Sequence, residues 1–169
     1  KHWKGDRCEP AEIIREFAPS LSHLAGPQVV LETDIHNADG TVPLSREDLA
    51  DIMVHLVSNA RDAVDGMGTI RLAGSIRLSD QPLTWRNQTL PAGKYYLMEI
   101  EDNGVGIAEA DLGHIFDPFF TTSAAVRGRG MGLAMVFGLV KKSGGGIHVQ
   151  SSVGGGTCMQ VYLPLTIQP

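Results

Sequence analysis

The chain has 169 residues, 43% of them hydrophobic, and a net charge of −5 at neutral pH. That length and composition suit one compact domain with a real core, and the acidic balance argues against a protein built to coat nucleic acid or an anionic membrane. No apolar run approaches the roughly 20 residues that span a bilayer, the N-terminus does not read as a signal peptide, and the two cysteines, Cys8 and Cys158, are too few for a disulfide scaffold and read as free cytosolic thiols.

Residues 10–24 place apolar side chains at roughly helical spacing and predict a helix, with Pro19 as the point where it would break. Residues 29–35 read as a strand and "NADG" (37–40) as a turn. Ser45 and Asp48 have capping-box spacing, so a long helix is expected from there to about Val64, ended by Gly66 and Gly68. Its buried stripe should be Leu49, Ile52, Met53, Leu56, Ala60 and Ala63. Residues 69–78 alternate with period two, Ile70, Leu72, Ile76 and Leu78 facing one way and Arg71 and Arg77 the other. Residues 95–102 alternate similarly. The polar stretch between, about 79–94, suits a hairpin tip with an enlarged loop. A short helix is expected over 107–116 and a mobile loop over 117–129. A glycine-rich segment then opens a helix that ends at Lys141, Lys142 and Gly144. Residues 146–152 and 157–164 should close the chain as a hairpin. No domain boundary is visible, and one domain over 1–169 is expected.

Three clusters carry possible chemistry. His55, Asn59 and Asp62 form a polar stripe along the border of the apolar face of the long helix. It is either a solvated face or a place where the Asn59 oxygen meets a hard cation such as Mg2+. "DNGVGI" (102–107) puts a carboxylate at the end of a buried strand. An ionised Asp only accepts hydrogen bonds, so Asp102 suits a donor such as an exocyclic amine. Gly104 and Gly106 leave room for a flat ring against backbone, or simply make a tight turn. In "GRGMGLAMV" (128–136), Gly128, Gly130 and Gly132 precede a helix whose free N–H groups could seat phosphates. The common alternatives fail: the chain has no GxxxxGK[ST], no GxGxxG at this loop, and no HRD or DFG triplet. "GGGT" (154–157) adds a threonine hydroxyl at another glycine-rich turn.

Taken in order, "HLVSNARDAV", "EDNGVGI", "IFDPFFTT", "GRGMGLAMV" and "GGGTCMQVYLP" resemble the N, G1, F, G2 and G3 boxes of the catalytic and ATP-binding domain of sensor histidine kinases. The look is nearest to the nitrogen-regulator-type and hybrid kinases, and it covers nearly the whole chain. The resemblance implies the Bergerat ATP-binding fold, an α/β sandwich with helices packed on one face of a mixed, mostly antiparallel sheet. It implies ATP and Mg2+ as cofactors. Asn59 becomes the Mg2+ ligand, Asp102 the partner of the adenine amino group, and Thr157 its support through a hydroxyl or a water. Phe116, Phe119 and Phe120 anchor an ATP lid over about 117–129. Arg127, Gly128, Arg129, Gly130, Met131, Gly132 and Leu133 contribute to nucleotide and phosphate binding, as do Asp62, Gly104, Gly106 and Ile107.

Two departures bear on the lid. Arg129 stands where the family often has Thr or Ser, and Ser123 where relatives often have Lys, so lid charge would come from Arg127 and Arg129. His55 occupies the position of the water-activating glutamate of related ATPases. It either orients a Mg2+-bound water or the γ-phosphate, as a catalytic residue alongside Asn59, or plays a packing role. Histidine kinases of this kind transfer the γ-phosphoryl group to a histidine on a separate helical dimerisation domain, for relay to a response regulator or receiver domain. No such histidine context occurs here, so the chain is expected to be the catalytic part of a larger, homodimeric protein. That parent would be cytoplasmic or have this part in the cytoplasm, with no nucleic-acid partner. The competing readings are an anti-sigma-type serine kinase of the same fold, a nucleotide-sensing scaffold, and a chaperone- or topoisomerase-type ATPase, the last disfavoured by His55.

Overall fold

The computed structural model describes residues 6–86, 88–118, 120 and 130–167, with backbone alone at 130 and 131. The elements run α1 (Pro10–Ala25), β1 (Val29–Ile35), α2 (Arg46–Val64), β2 (Gly68–Ser79), β3 (Leu83–Trp85), β4 (Gln88–Leu90), β5 (Gly93–Asp102), a 3-10 turn (Glu109–Asp111), α3 (Gly130–Lys142), β6 (Gly146–Ser151) and β7 (Thr157–Pro164). Five strands form one sheet in the order β1-β2-β5-β7-β6. β1 and β2 are parallel, and every other pairing is antiparallel.

Alternate residues of the central strands, among them Ile70, Leu72, Met98, Ile100, Met159 and Val161, point into one core shared with all three helices. This is the expected helix layer on one face of a mixed sheet. Ser45 caps α2 by accepting from the Asp48 N–H at 2.9 Å. The helix then buries Leu49, Ile52, Met53, Leu56, Val57, Ala60 and Val64. Ala63, expected in that stripe, is only half-buried; its carbonyl instead receives the Val105 N–H at 3.0 Å. α2 ends on Asp65 in the left-handed region, whose N–H returns to the Asp62 carbonyl. Gly68, expected to terminate the helix, is therefore the first residue of β2.

Other expectations change as well. α1 runs unbroken through Pro19 because Ile13, Ile14, Leu21 and Ala25 fix both halves in the core. Ile76 and Leu78 are 40% and 69% exposed, since β2 outruns the helix layer. The helix expected over 107–116 shrinks to the 3-10 turn followed by turns. The stretch 79–94 is no loose loop. β3 and β4 pair as a small hairpin, with Leu83 and Trp85 packed against Leu90, Tyr95, Leu97 and Tyr162, which face away from the helices. Trp85 lies 4.7 Å from the Tyr162 ring and stacks on His148 at 5.3 Å. The Gln88 amide donates to the Ile147 carbonyl at 2.8 Å and accepts from the Ile147 N–H at 2.9 Å. It supplies the edge strand β6 with the pairing that a further strand would give. Among the described residues no helix is long and apolar enough to cross a membrane.

Candidate functional site

β5 ends at Asp102, which sits between Ile70 of β2 and Thr157 of β7 in the ladder. Both Asp102 and Thr157 are buried. The Gly104 N–H donates to Asp102 Oδ1 at 2.8 Å, and the Thr157 N–H also serves the carboxylate. Burial lifts the Asp102 carboxyl above its ordinary pKa; the two N–H donors pull it back and neighbouring Glu101 adds to the rise. An acceptor is thus held in a largely desolvated place at a strand end.

The segment after Asp102 is clamped from two sides. Val105 donates to the Ala63 carbonyl of α2, and Gly154 of the β6–β7 turn donates to the Val105 carbonyl at 2.8 Å. For the glycines here the sequence leaves open clearance for a ring or a tight turn, and the structure adds a reason in neighbouring backbone. A Cβ at Gly104 would lie 2.9 Å from the Ala63 Cβ and closer still to the Ala63 carbonyl. At Gly106, with φ +77°, it would run into the Ser152 carbonyl. Ser151 closes the cluster: its Oγ lies 2.8 Å from the Ile107 N–H, 2.8 Å from the Gly156 carbonyl and 2.7 Å from Thr157 Oγ1.

The polar stripe of α2 joins this end of the site to the start of α3. His55, Asn59 and Asp62 are all half-buried. The Asp62 Oδ1 lies 3.5 Å from Arg61 Nε. A Cβ at Gly132 would lie 3.2 Å from His55 Nδ1, so the imidazole packs where α3 has no side chain. From His55 to Ala63 the helix runs about 12 Å, with Asn59 midway. Leu133, Phe116 and Phe120 are half-buried against the main core. Phe116 stacks on Phe137 of α3 at 5.0 Å, and Phe120 lies 6.0 Å from the His114 ring.

The structure therefore brings Asp102, Gly104, Gly106, Ile107 and Thr157 into one cluster, and His55 and Gly132 into another, with Asn59 and Asp62 between along α2. Phe119, Arg127, Gly128 and Arg129 lie outside the described residues, as does the lid apart from 117, 118 and 120, and as do the side chains at 130 and 131. Sequence reasoning missed Ser151, the Ala63 carbonyl and Gly156, whose Cβ would meet Asp102 and Asn103. Only Gly156, inside "GGGT", left a trace in the sequence.

Known proteins match this chain as follows. The family model described as "Histidine kinase-, DNA gyrase B-, and HSP90-like ATPase" matches residues 45–167. The sensor kinase CckA of Brucella abortus (strain 2308) is 34% identical over 93% of this chain, which spans 17% of CckA. The mycobacterial sensor histidine kinase MprB superposes with a TM-score of 0.73 at 18% identity, covering 98% of this chain and 100% of that one. Full-length ShkA in complex with AMPPNP superposes with a TM-score of 0.73 at 19% identity, over 99% of this chain and 33% of that one.

Proposed function

The chain belongs to the histidine kinase-, DNA gyrase B- and HSP90-like ATPase family, and from that premise we propose that it is the ATP-binding catalytic domain of a sensor histidine kinase. The observation that carries the reading is the buried Asp102 carboxylate at the end of β5, gripped by backbone N–H groups and joined by the α2 stripe to the start of α3. A purine amino group would donate to Asp102, with Thr157 beside it. The ribose and phosphates would then run along Asn59 toward α3. Gly130 and Gly132 open that helix, and its unpaired N–H groups favour anionic oxygen.

Among the described residues no cluster of three His, Cys, Asp or Glu could hold a metal by itself. A cation would be bound chiefly by nucleotide phosphates, with the Asn59 oxygen as its protein ligand. Mg2+ bound there would neutralise phosphate charge. His55, against the backbone of α3, would orient the terminal phosphate, and Arg127 and Arg129 of the lid would pair with its oxygens. Phosphoryl transfer rests on positioning and charge stabilisation, and His55 stands where related ATPases carry their water-activating glutamate. The γ-phosphoryl group would pass to a histidine on a helical dimerisation domain, and from there to a response regulator, inside a homodimeric parent with this part in the cytoplasm.

Isothermal titration of the chain with ATP and GTP, with and without Mg2+, tests the binding half. ATP should bind and GTP should not. Adding a separately made dimerisation domain and assaying acid-labile phosphate tests the transfer half. Phosphate appearing on serine, or on this chain alone, would overturn the histidine-kinase reading.

A further inference from the structure

Ser151, the last residue of β6, pairs with Thr157 across the β6–β7 ladder. Its hydroxyl meets three polar groups at once: the Ile107 N–H and the Gly156 carbonyl, each at 2.8 Å, and Thr157 Oγ1 at 2.7 Å. A serine hydroxyl has one proton and two lone pairs. The Ile107 N–H can only donate, so it takes one lone pair. The Gly156 carbonyl can only accept, so it takes the proton. One lone pair remains, and Thr157 reaches it only by donating its own proton. The Thr157 oxygen is then left with lone pairs alone. Beside it across the β5–β7 ladder stands the Asp102 carboxylate, also an acceptor.

We propose that Ser151 is a positioning residue that fixes the hydrogen-bond polarity of Thr157, and thereby makes this end of the site accept a 6-amino purine and refuse a 6-oxo purine. The assignment rests on the reading of Asp102 as the purine contact. Two acceptors side by side match an exocyclic NH2, which carries two protons. They oppose a 6-oxo oxygen, whose lone pairs would be buried against theirs; the neighbouring N1–H of such a ring can serve only one of the two acceptors, and the mismatch left at the other discriminates against it. Without the Ser151 oxygen the Thr157 hydroxyl is free to rotate and donate. The acceptor pair becomes an acceptor beside a donor, and the refusal of a 6-oxo group weakens. Sequence alone hides this, because the contact to Ile107 closes over 44 residues.

The test is a comparison of ATP with inosine triphosphate, which has a carbonyl at position 6 and a proton on N1 where adenine has an amino group and a lone pair. Affinities are measured by calorimetry on wild type, Ser151→Ala, Ser151→Thr and Thr157→Val, with thermal melts to confirm folding. Wild type should prefer ATP. Ser151→Ala should narrow the ATP-to-ITP ratio roughly tenfold, the effect of about one hydrogen bond, and Ser151→Thr should restore it. Thr157→Val, which has no hydroxyl to orient, should narrow the ratio even if Ser151→Ala fails to fold, and adding Ser151→Ala to it should change the ratio no further. If Ser151→Ala weakens both nucleotides by the same factor, Ser151 is merely structural and the assignment is overturned. A Thr157→Val ratio equal to that of wild type overturns it too. A wild type that binds ATP and ITP alike overturns the purine reading of Asp102 itself.

Discussion

Gly156 and Gly154 make a controlled pair for the idea that backbone approach builds this site. Their φ values are nearly equal, +76° and +79°. An L-residue in the left-handed region costs about 1–2 kcal/mol, so Gly→Ala should impose that strain at both. Their surroundings differ. A Cβ at Gly154 meets nothing within 4 Å. A Cβ at Gly156 would lie 3.1 Å from both the Asp102 carbonyl carbon and the Asn103 Cα, and closer still to the Asp102 oxygen. Carbon atoms prefer separations of about 3.5–4.0 Å, so the β6–β7 turn or the end of β5 must shift. Overpacking of this kind adds about 1–3 kcal/mol. Gly154→Ala should therefore destabilise by about 1–2 kcal/mol and Gly156→Ala by about 2–5 kcal/mol. The displaced backbone carries Asp102, so Gly156→Ala should also weaken ATP at least tenfold while Gly154→Ala leaves affinity nearly unchanged. Urea denaturation gives the first comparison and calorimetry the second. Equal losses of stability in the two variants, or wild-type ATP affinity in Gly156→Ala, would refute the close approach as the reason for glycine there.

Three other outcomes are expected. Asp102→Asn should lower ATP affinity by about 1.5–3 kcal/mol, read by calorimetry as ten- to 150-fold. The same change should not destabilise the nucleotide-free fold at neutral pH: burial raises the folded-state pKa of Asp102 above the unfolded one, so wild-type stability falls as pH rises from the ordinary carboxylate range through that raised value, and melts across pH should show this decline only in wild type. Asn59→Ala should weaken nucleotide binding in the presence of Mg2+ more than in its absence; equal effects in the two titrations would remove its metal role. Gln88→Ala strips both partners from Ile147 at the β6 edge and should cost about 1–3 kcal/mol in urea denaturation, with ATP affinity retained, whereas a change below about 0.5 kcal/mol would show that the hairpin is not docked through that side chain.

What could be read from the sequence was whatever local rules govern. α2 announced itself by a cap and an apolar stripe, and β5 by alternation that ran straight into Asp102. The hairpin β3–β4 did not, because strands of three residues are too short to show a period, and what holds them is tertiary: a tryptophan on a histidine and a glutamine posing as a strand. Ala63 was placed in the core by its spacing, yet its role is played by its carbonyl, which no spacing rule sees.

The glycines show where a motif match stops being a functional argument. Gly106 and Gly156 are required by protein backbone, the Ser152 carbonyl in one case and Asp102 in the other. A chain that had lost nucleotide binding would still need both to bring β6–β7 against the end of β5. Intact glycines therefore testify to the fold and leave activity open. The discriminating residue is the one whose charge the fold disfavours, the Asp102 carboxylate that burial opposes. Replacing Asp102 by a neutral side chain of the same shape relieves the desolvation penalty, so an acid kept there supports the proposed ligand contact, and the ATP affinity of Asp102→Asn decides it.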